Sequence, residues 1–195
     1  MQRHKDVSFE GQVGLVTGAA SGLGLAYSRL LAQRGARVVM HDVGAGLDGH
    51  GHDPHRIDAT VALLRGTGLD VHAAHAAIDE REGCRALVAD ILMRHGRIDF
   101  IIHNAGWVEY QQIDVLEEGR FDHMMTIAAK APLWLAEAAW PGRTKPMSLF
   151  STVASTSSAS SLGTTTSRAW AGVTTPPTVC TASCCTVPDL SLIHI

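Results

Sequence analysis

Apolar positions along this chain fall into two alternating patterns. Short, mostly apolar runs predict buried strands at residues 12–17, 37–41 and 98–103, and a weaker strand with small residues at 71–78. Between them, apolar residues recur at helical spacing. Residues 23–34 carry Leu23, Ala26, Tyr27, Leu30 and Leu31, with Gly35 as the stop. Residues 57–65 carry Val61, Leu63 and Leu64, closed by Gly66 and Gly68. Residues 80–95 place Cys84, Leu87, Val88, Ile91 and Leu92 on one face and end at Gly96. Residues 117–140 read as one long helix, stopped by Pro141 and Gly142, and residues 44–54 as a glycine-rich loop. The order β-α-β-α-β-α-β-α predicts an α/β fold, a doubly wound parallel sheet of Rossmann type with helices on both faces.

Composition adds bounds. With 195 residues, 46% of them hydrophobic, the chain has enough material for one core. A formal net charge of -3 excludes nucleic-acid binding through a basic surface. No apolar run is long enough to span a bilayer, and residues 1–6 are polar, without the apolar core of a leader. The expectation is a cytoplasmic protein without a nucleic-acid or membrane partner.

The averages conceal a break near residue 145. From Pro146 onward only Arg168 and Asp189 are charged, and Ser or Thr fills 19 of the 39 positions between Ser148 and Thr186. The chain therefore divides into residues 1–145, one α/β domain, and residues 146–195, a Ser/Thr-rich tail that is disordered or out of frame. The sheet is expected to be incomplete on its C-terminal side.

Two features carry chemistry. Thr17-Gly18-Ala19-Ala20-Ser21-Gly22-Leu23-Gly24 joins the first strand to the first helix. Gly18 permits a tight turn. Gly22 and Gly24 clear space where a pyrophosphate nears the backbone and where helix meets strand, and the helix start offers free N–H groups to the anion. Asp42 ends the second strand, where a carboxylate accepts hydrogen bonds from an adenosine ribose and repels a 2′-phosphate. No Lys or Arg lies in the glycine loop, so the cofactor expected is NAD rather than NADP.

The glycine pattern of Thr17–Gly24, the Asn104-Ala105-Gly106 triplet, Asp42 and Asp79 together resemble the short-chain dehydrogenase/reductase family, from about Val7 to about Trp140. The resemblance implies NAD-dependent hydride transfer to or from a secondary alcohol or ketone. It implies that Asp79 meets the adenine amino group, and that Asn104, Ala105 and Gly106 line the cofactor. With them, Thr17, Gly18, Ser21, Gly22, Leu23, Gly24 and Asp42 complete the expected cofactor site. The stretch from His41 through the 44–54 loop looks like the hydroxyacyl-CoA dehydrogenase branch, which implies an acyl-CoA substrate. The long helix 117–140 is a common dimer face in this family, which implies a homo-oligomer.

The family's proton chemistry uses a Tyr-x-x-x-Lys pair, a Ser and an Asn. Tyr27 is followed four residues later by Leu31, and Tyr110 by Asp114. Neither Tyr nor Lys follows Lys145, and Ala128 stands at the Asn position. The stretch Leu149-Phe150-Ser151-Thr152-Val153 fits a fifth strand and puts Thr152 near the Ser position. Three readings follow: a non-catalytic NAD-binding module (a pseudoenzyme), a displaced acid/base such as histidine, or a shifted reading frame. A frame shift accounts for the most. The codons of Thr175-Pro-Pro-Thr-Val, read from the third base, permit Ala-Ala-Tyr-Ser, the usual setting of the catalytic tyrosine. Leu190-Ser-Leu-Ile-His-Ile195 is what a transposon-end library adapter encodes. The expectation is an oxidoreductase truncated and inactive as written.

Other clusters take plainer readings. Asp48, His50, His52, Asp53 and His55 share one loop without metal-ligand spacing, so a solvated loop and no metal is expected. Cys84, Cys180, Cys184 and Cys185 make neither a zinc site nor a disulfide framework.

Overall fold

The structure, a computed structural model, describes residues 7–46, 49, 51–107, 113–140, 148–151 and 179–181. Its strands are β1 (Val13–Thr17), β2 (Arg37–His41), β3 (Val71–Ala74), β4 (Phe100–His103), β5 (Ser148–Ser151) and β6 (Val179–Thr181). Its helices are α1 (Gly22–Gln33), α2 (Pro54–Gly66), α3 (Arg81–His95), α4 (Glu118–Met125) and α5 (Ala131–Ala139). A 3-10 turn (Ile113–Val115) precedes α4, and a π-helical turn (Thr126–Lys130) joins α4 to α5. The strands pair in parallel in the order β3-β2-β1-β4-β5-β6, the doubly wound α/β sheet that the alternation predicts.

Successive residues of each strand feed opposite faces, so the sheet holds two cores. Val13, Leu15, Val39 and Ile101 pack with Leu87 and Ile91 of α3 and Leu135 of α5. Val16, Val38, Met40 and Phe100 pack with Leu31 of α1 and Ile57 and Val61 of α2. Leu15, Ile91 and Leu135 are fully buried, each contributing about 2 kcal/mol by removal from water. Gly14 has a packing reason: a Cβ there would lie 2.0 Å from the Phe100 ring, which fills the space.

Three elements differ from their sequence reading by more than two residues. Helix α2 begins earlier, at Pro54, because Asp53 caps it: its Oδ1 accepts from the His55 N–H at 3.1 Å, and proline suits the first turn. Strand β3 ends at Ala74 rather than at Ile78. The carbonyl of Ala76 is instead taken by the His41 ring, and buried Ile78 gives its carbonyl to the Cys84 thiol.

The long helix at 117–140 is interrupted. The Ala131 N–H reaches back five residues to the Thr126 carbonyl, a π-type bond. Pro132 explains the break. It has no N–H, and its ring crowds the carbonyl four residues before it, so a regular α-helix cannot run through this point. Phe121, Met125, Leu133 and Trp140 along this segment are exposed. No helix among the described residues is long and apolar enough to cross a membrane.

Candidate cofactor site

Parallel pairing aligns the strand ends. Thr17 lies opposite both His41 and His103, His41 opposite Ala74, and His103 opposite Ser151. The loops that leave this row carry the residues singled out from the sequence. Such an edge, beyond the C-terminal ends of the strands, is where open α/β sheets take their ligands.

The glycine loop is strapped down from both sides. Ala19 donates its N–H to the His41 carbonyl at 3.0 Å, and Ala20 donates to Asp42 Oδ2 at 2.9 Å. The Thr60 hydroxyl shares its proton between the Arg56 carbonyl at 3.0 Å and the Ala20 carbonyl at 3.3 Å. On the β4 side, Asn104 Nδ2 donates to the Gly18 carbonyl at 3.2 Å. The Thr17 hydroxyl accepts the N–H groups of Asn104 and Ala105, each at 3.1 Å. Gly18 has a φ of +65°, and a Cβ there would lie 2.9 Å from the Ala105 backbone. Gly24 is tighter, its virtual Cβ lying 2.1 Å from the Gly18 carbonyl oxygen.

Gly22 is the opposite case. Its φ is +56°, and nothing lies within 4 Å of its virtual Cβ. Ser21, the α1 N-cap residue, is extended and makes no side-chain cap bond; Leu23 is exposed. The first N–H groups of α1 have no partner within the helix, and no acidic residue occupies its first turn. Open space, free donors and the positive end of the helix dipole fit a pyrophosphate.

Asp42 holds its place with both oxygens. Oδ1 accepts the Gly44 N–H at 2.7 Å, and Oδ2 accepts Ala20. A carboxylate has about four acceptor positions, so capacity remains for a ribose hydroxyl. Asp79 follows buried Ile78, in the turn before α3 rather than at a strand end; its Oδ2 lies 4.0 Å from His123 Nε2. Gly106 is beside Trp107, whose ring packs edge-on against His123 with centroids 4.8 Å apart. Thr152, Tyr110, Asp48 and His50 lie outside the described residues.

Residues 12–162 match the family described as short chain dehydrogenase. The chain belongs to the short chain dehydrogenase family. The chain is 33% identical over 137 residues to the peroxisomal hydratase-dehydrogenase-epimerase of Neurospora crassa, covering 70% of this chain and 15% of that protein. It is 34% identical over 132 residues to the peroxisomal multifunctional enzyme type 2 of Mus musculus, covering 68% and 18%. It thus spans less than a fifth of either relative. Among solved structures, carveol dehydrogenase from Mycobacterium avium in complex with NAD matches with a TM-score of 0.65 and 21% identity, covering 74% of this chain and 55% of that one. A short chain dehydrogenase from Burkholderia cenocepacia J2315 in complex with NADP matches at 0.65 and 24%, covering 75% and 56%.

The sequence reading missed His41 and His103, both almost fully buried at strand ends. Their signal was present: a histidine closing an apolar strand brings two ring nitrogens into the interior, of which His103 satisfies both and His41 only Nε2, its Nδ1 being buried without a partner. Burial holds the His103 imidazole down to about 4 from its ordinary 6.5. The unfolded chain therefore takes up a proton below pH 6.5 that the folded chain refuses until about pH 4. Stability should fall as pH drops through this window, by up to about 3 kcal/mol from this residue, with no further loss below it. His41 and His95, also lowered by burial, act in the same direction. Urea unfolding at several pH values between 7 and 4.5 checks this. The slope should flatten in His103→Asn, and equal slopes would remove the assignment.

Proposed function

We propose that this chain is the cofactor-binding part of an NAD-dependent oxidoreductase acting on a secondary alcohol or ketone. The observation that carries it is the strapped glycine loop, open at Gly22 and tied to Asp42 at one side and to Asn104 and Ala105 at the other. In this reading, residues 1–145 form the dinucleotide-binding unit. The α1 start and Gly22 take the pyrophosphate, Asp42 the adenosine ribose and Asp79 the adenine. When bound, the dinucleotide supplies the hydride donor or acceptor. Membership of a dehydrogenase family favours an oxidoreductase over a non-catalytic NAD-binding module, a pseudoenzyme. The 44–54 loop supports including hydroxyacyl-CoA thioesters among the substrates tested.

Preference for NAD rests on Asp42. In this reading its negative charge would repel a 2′-phosphate, whereas a 2′-hydroxyl would donate to it. Fluorescence titration should show NADH binding at least about tenfold tighter than NADPH, an advantage of about 1.4 kcal/mol. Asp42→Ala should weaken NADH by about tenfold or more, the value of one charged hydrogen bond, and bring the two cofactors within about threefold. Tighter NADPH binding by the unaltered chain would reverse the assignment.

A further inference from the structure

We propose that His103 is a positioning residue: neutral, with its one ring proton on Nε2, it fastens both cofactor loops to the π turn behind them. The functional consequence rests on the dinucleotide reading above, but the hydrogen-bond assignment does not. Thr17 fixes the first half of the argument. Its hydroxyl oxygen already accepts two obligate donors, the N–H groups of Asn104 and Ala105. Its single proton must go elsewhere, and the His103 Nδ1 stands 3.0 Å away. That nitrogen must therefore be an unprotonated acceptor.

The π turn fixes the second half. In a helix, the Ile127 carbonyl would accept from residue 131 or, in the wider turn, from residue 132. The Ala131 N–H is spent on Thr126, and residue 132 is a proline without an N–H. The Ile127 carbonyl is thus left without either helical partner, and His103 Nε2 lies 2.9 Å from it. Nε2 carries the proton and donates. The opposite tautomer would set a lone pair against the Ile127 oxygen and a second proton against Thr17. Thr17 and His103 are at most 1% exposed, so water does not take over either bond. One imidazole thereby sets the distance between the glycine loop, the Asn104–Ala105 turn and the segment that carries Ala128.

Side-chain isosteres separate the two arms. The amide oxygen of asparagine reaches where Nδ1 acts, and the amide nitrogen of glutamine where Nε2 acts. His103→Asn should keep the Thr17 arm and His103→Gln the Ile127 arm. Amide hydrogen exchange at Asn104 and Ala105 should accelerate about tenfold or more in His103→Gln and stay within about threefold of the parent in His103→Asn. NADH affinity should follow the same order. Nitrogen-15 spectra of the unaltered protein should show Nε2 protonated and Nδ1 bare in a single tautomer near neutral pH. An Nδ1-protonated ring overturns the proposal, as does exchange that is unchanged in His103→Gln or raised equally in both variants. If the unaltered chain does not bind NADH, the dinucleotide reading fails alone, because the spectra and exchange still decide this one.

Discussion

Replacing Gly24 with alanine should lower NADH affinity by at least about 100-fold, a loss of about 2.8 kcal/mol. The added methyl would lie 2.1 Å from the Gly18 carbonyl oxygen and 2.8 Å from Asn104 Nδ2. Both contacts are to atoms already engaged with each other, the amide donating to that same carbonyl. Neither can yield separately, so the first turn of α1 must move away from the loop, and its free N–H groups move with it. Gly22→Ala supplies the contrast. Space is open around Gly22, so without cofactor the change should cost only about 1 to 2 kcal/mol for its left-handed backbone. Thermal melts beside NADH titrations distinguish the two: Gly24→Ala should disturb the unliganded loop as well as binding, whereas Gly22→Ala should leave only local strain in the unliganded chain and weaken NADH because its methyl enters the space read as the pyrophosphate's. Gly24→Ala binding NADH as well as the parent would show that the loop is not the phosphate cradle.

Turnover gives the other large effect. With a panel of secondary alcohols, ketones and hydroxyacyl-CoA thioesters, this chain should bind NADH yet transfer hydride at a rate at least about 10⁴-fold below an enzyme with a full set of proton-transfer groups. No Tyr-x-x-x-Lys pair occurs in its sequence, and Ala128 has no donor or acceptor on its side chain. Ala128→Asn alone should restore nothing, because a relay needs an acid at its substrate end. Robust turnover of any one substrate by the unaltered chain would defeat this expectation. Resequencing the source DNA across residues 142–195 tests the companion proposal of a shifted frame. A chain carrying the restored pair should gain both catalysis and a pH profile.

Much of this was legible in the residues. Val13–Thr17 and Arg37–His41 announce themselves as buried strands, because a sheet covered on both faces needs unbroken apolar runs. Gly18, Gly22 and Gly24 were legible because each answers a separate steric demand, and the structure gives each a different surrounding. Periodicity did not reveal the π turn, since Leu133 and Leu135 continue a helical pattern past Pro132. Pro132 itself was the neglected signal. The partners of His103 were also hidden, because Thr17 and Ile127 come from strand and helix segments that only the folded sheet brings together. Asp53 read as a loop residue until its cap bond placed it at the start of α2.

The π turn also sets a rule for insertions and deletions. A wide turn holds one residue more than an α-turn, so everything after Lys130 is rotated by roughly 100° relative to everything before Thr126. Ala131, Leu135 and Ala139 reach the sheet only with that offset in place. Removing one residue between Thr126 and Lys130 would take out that offset and turn the apolar row away from α3 and β4. The segment can therefore exchange side chains far more freely than it can change length.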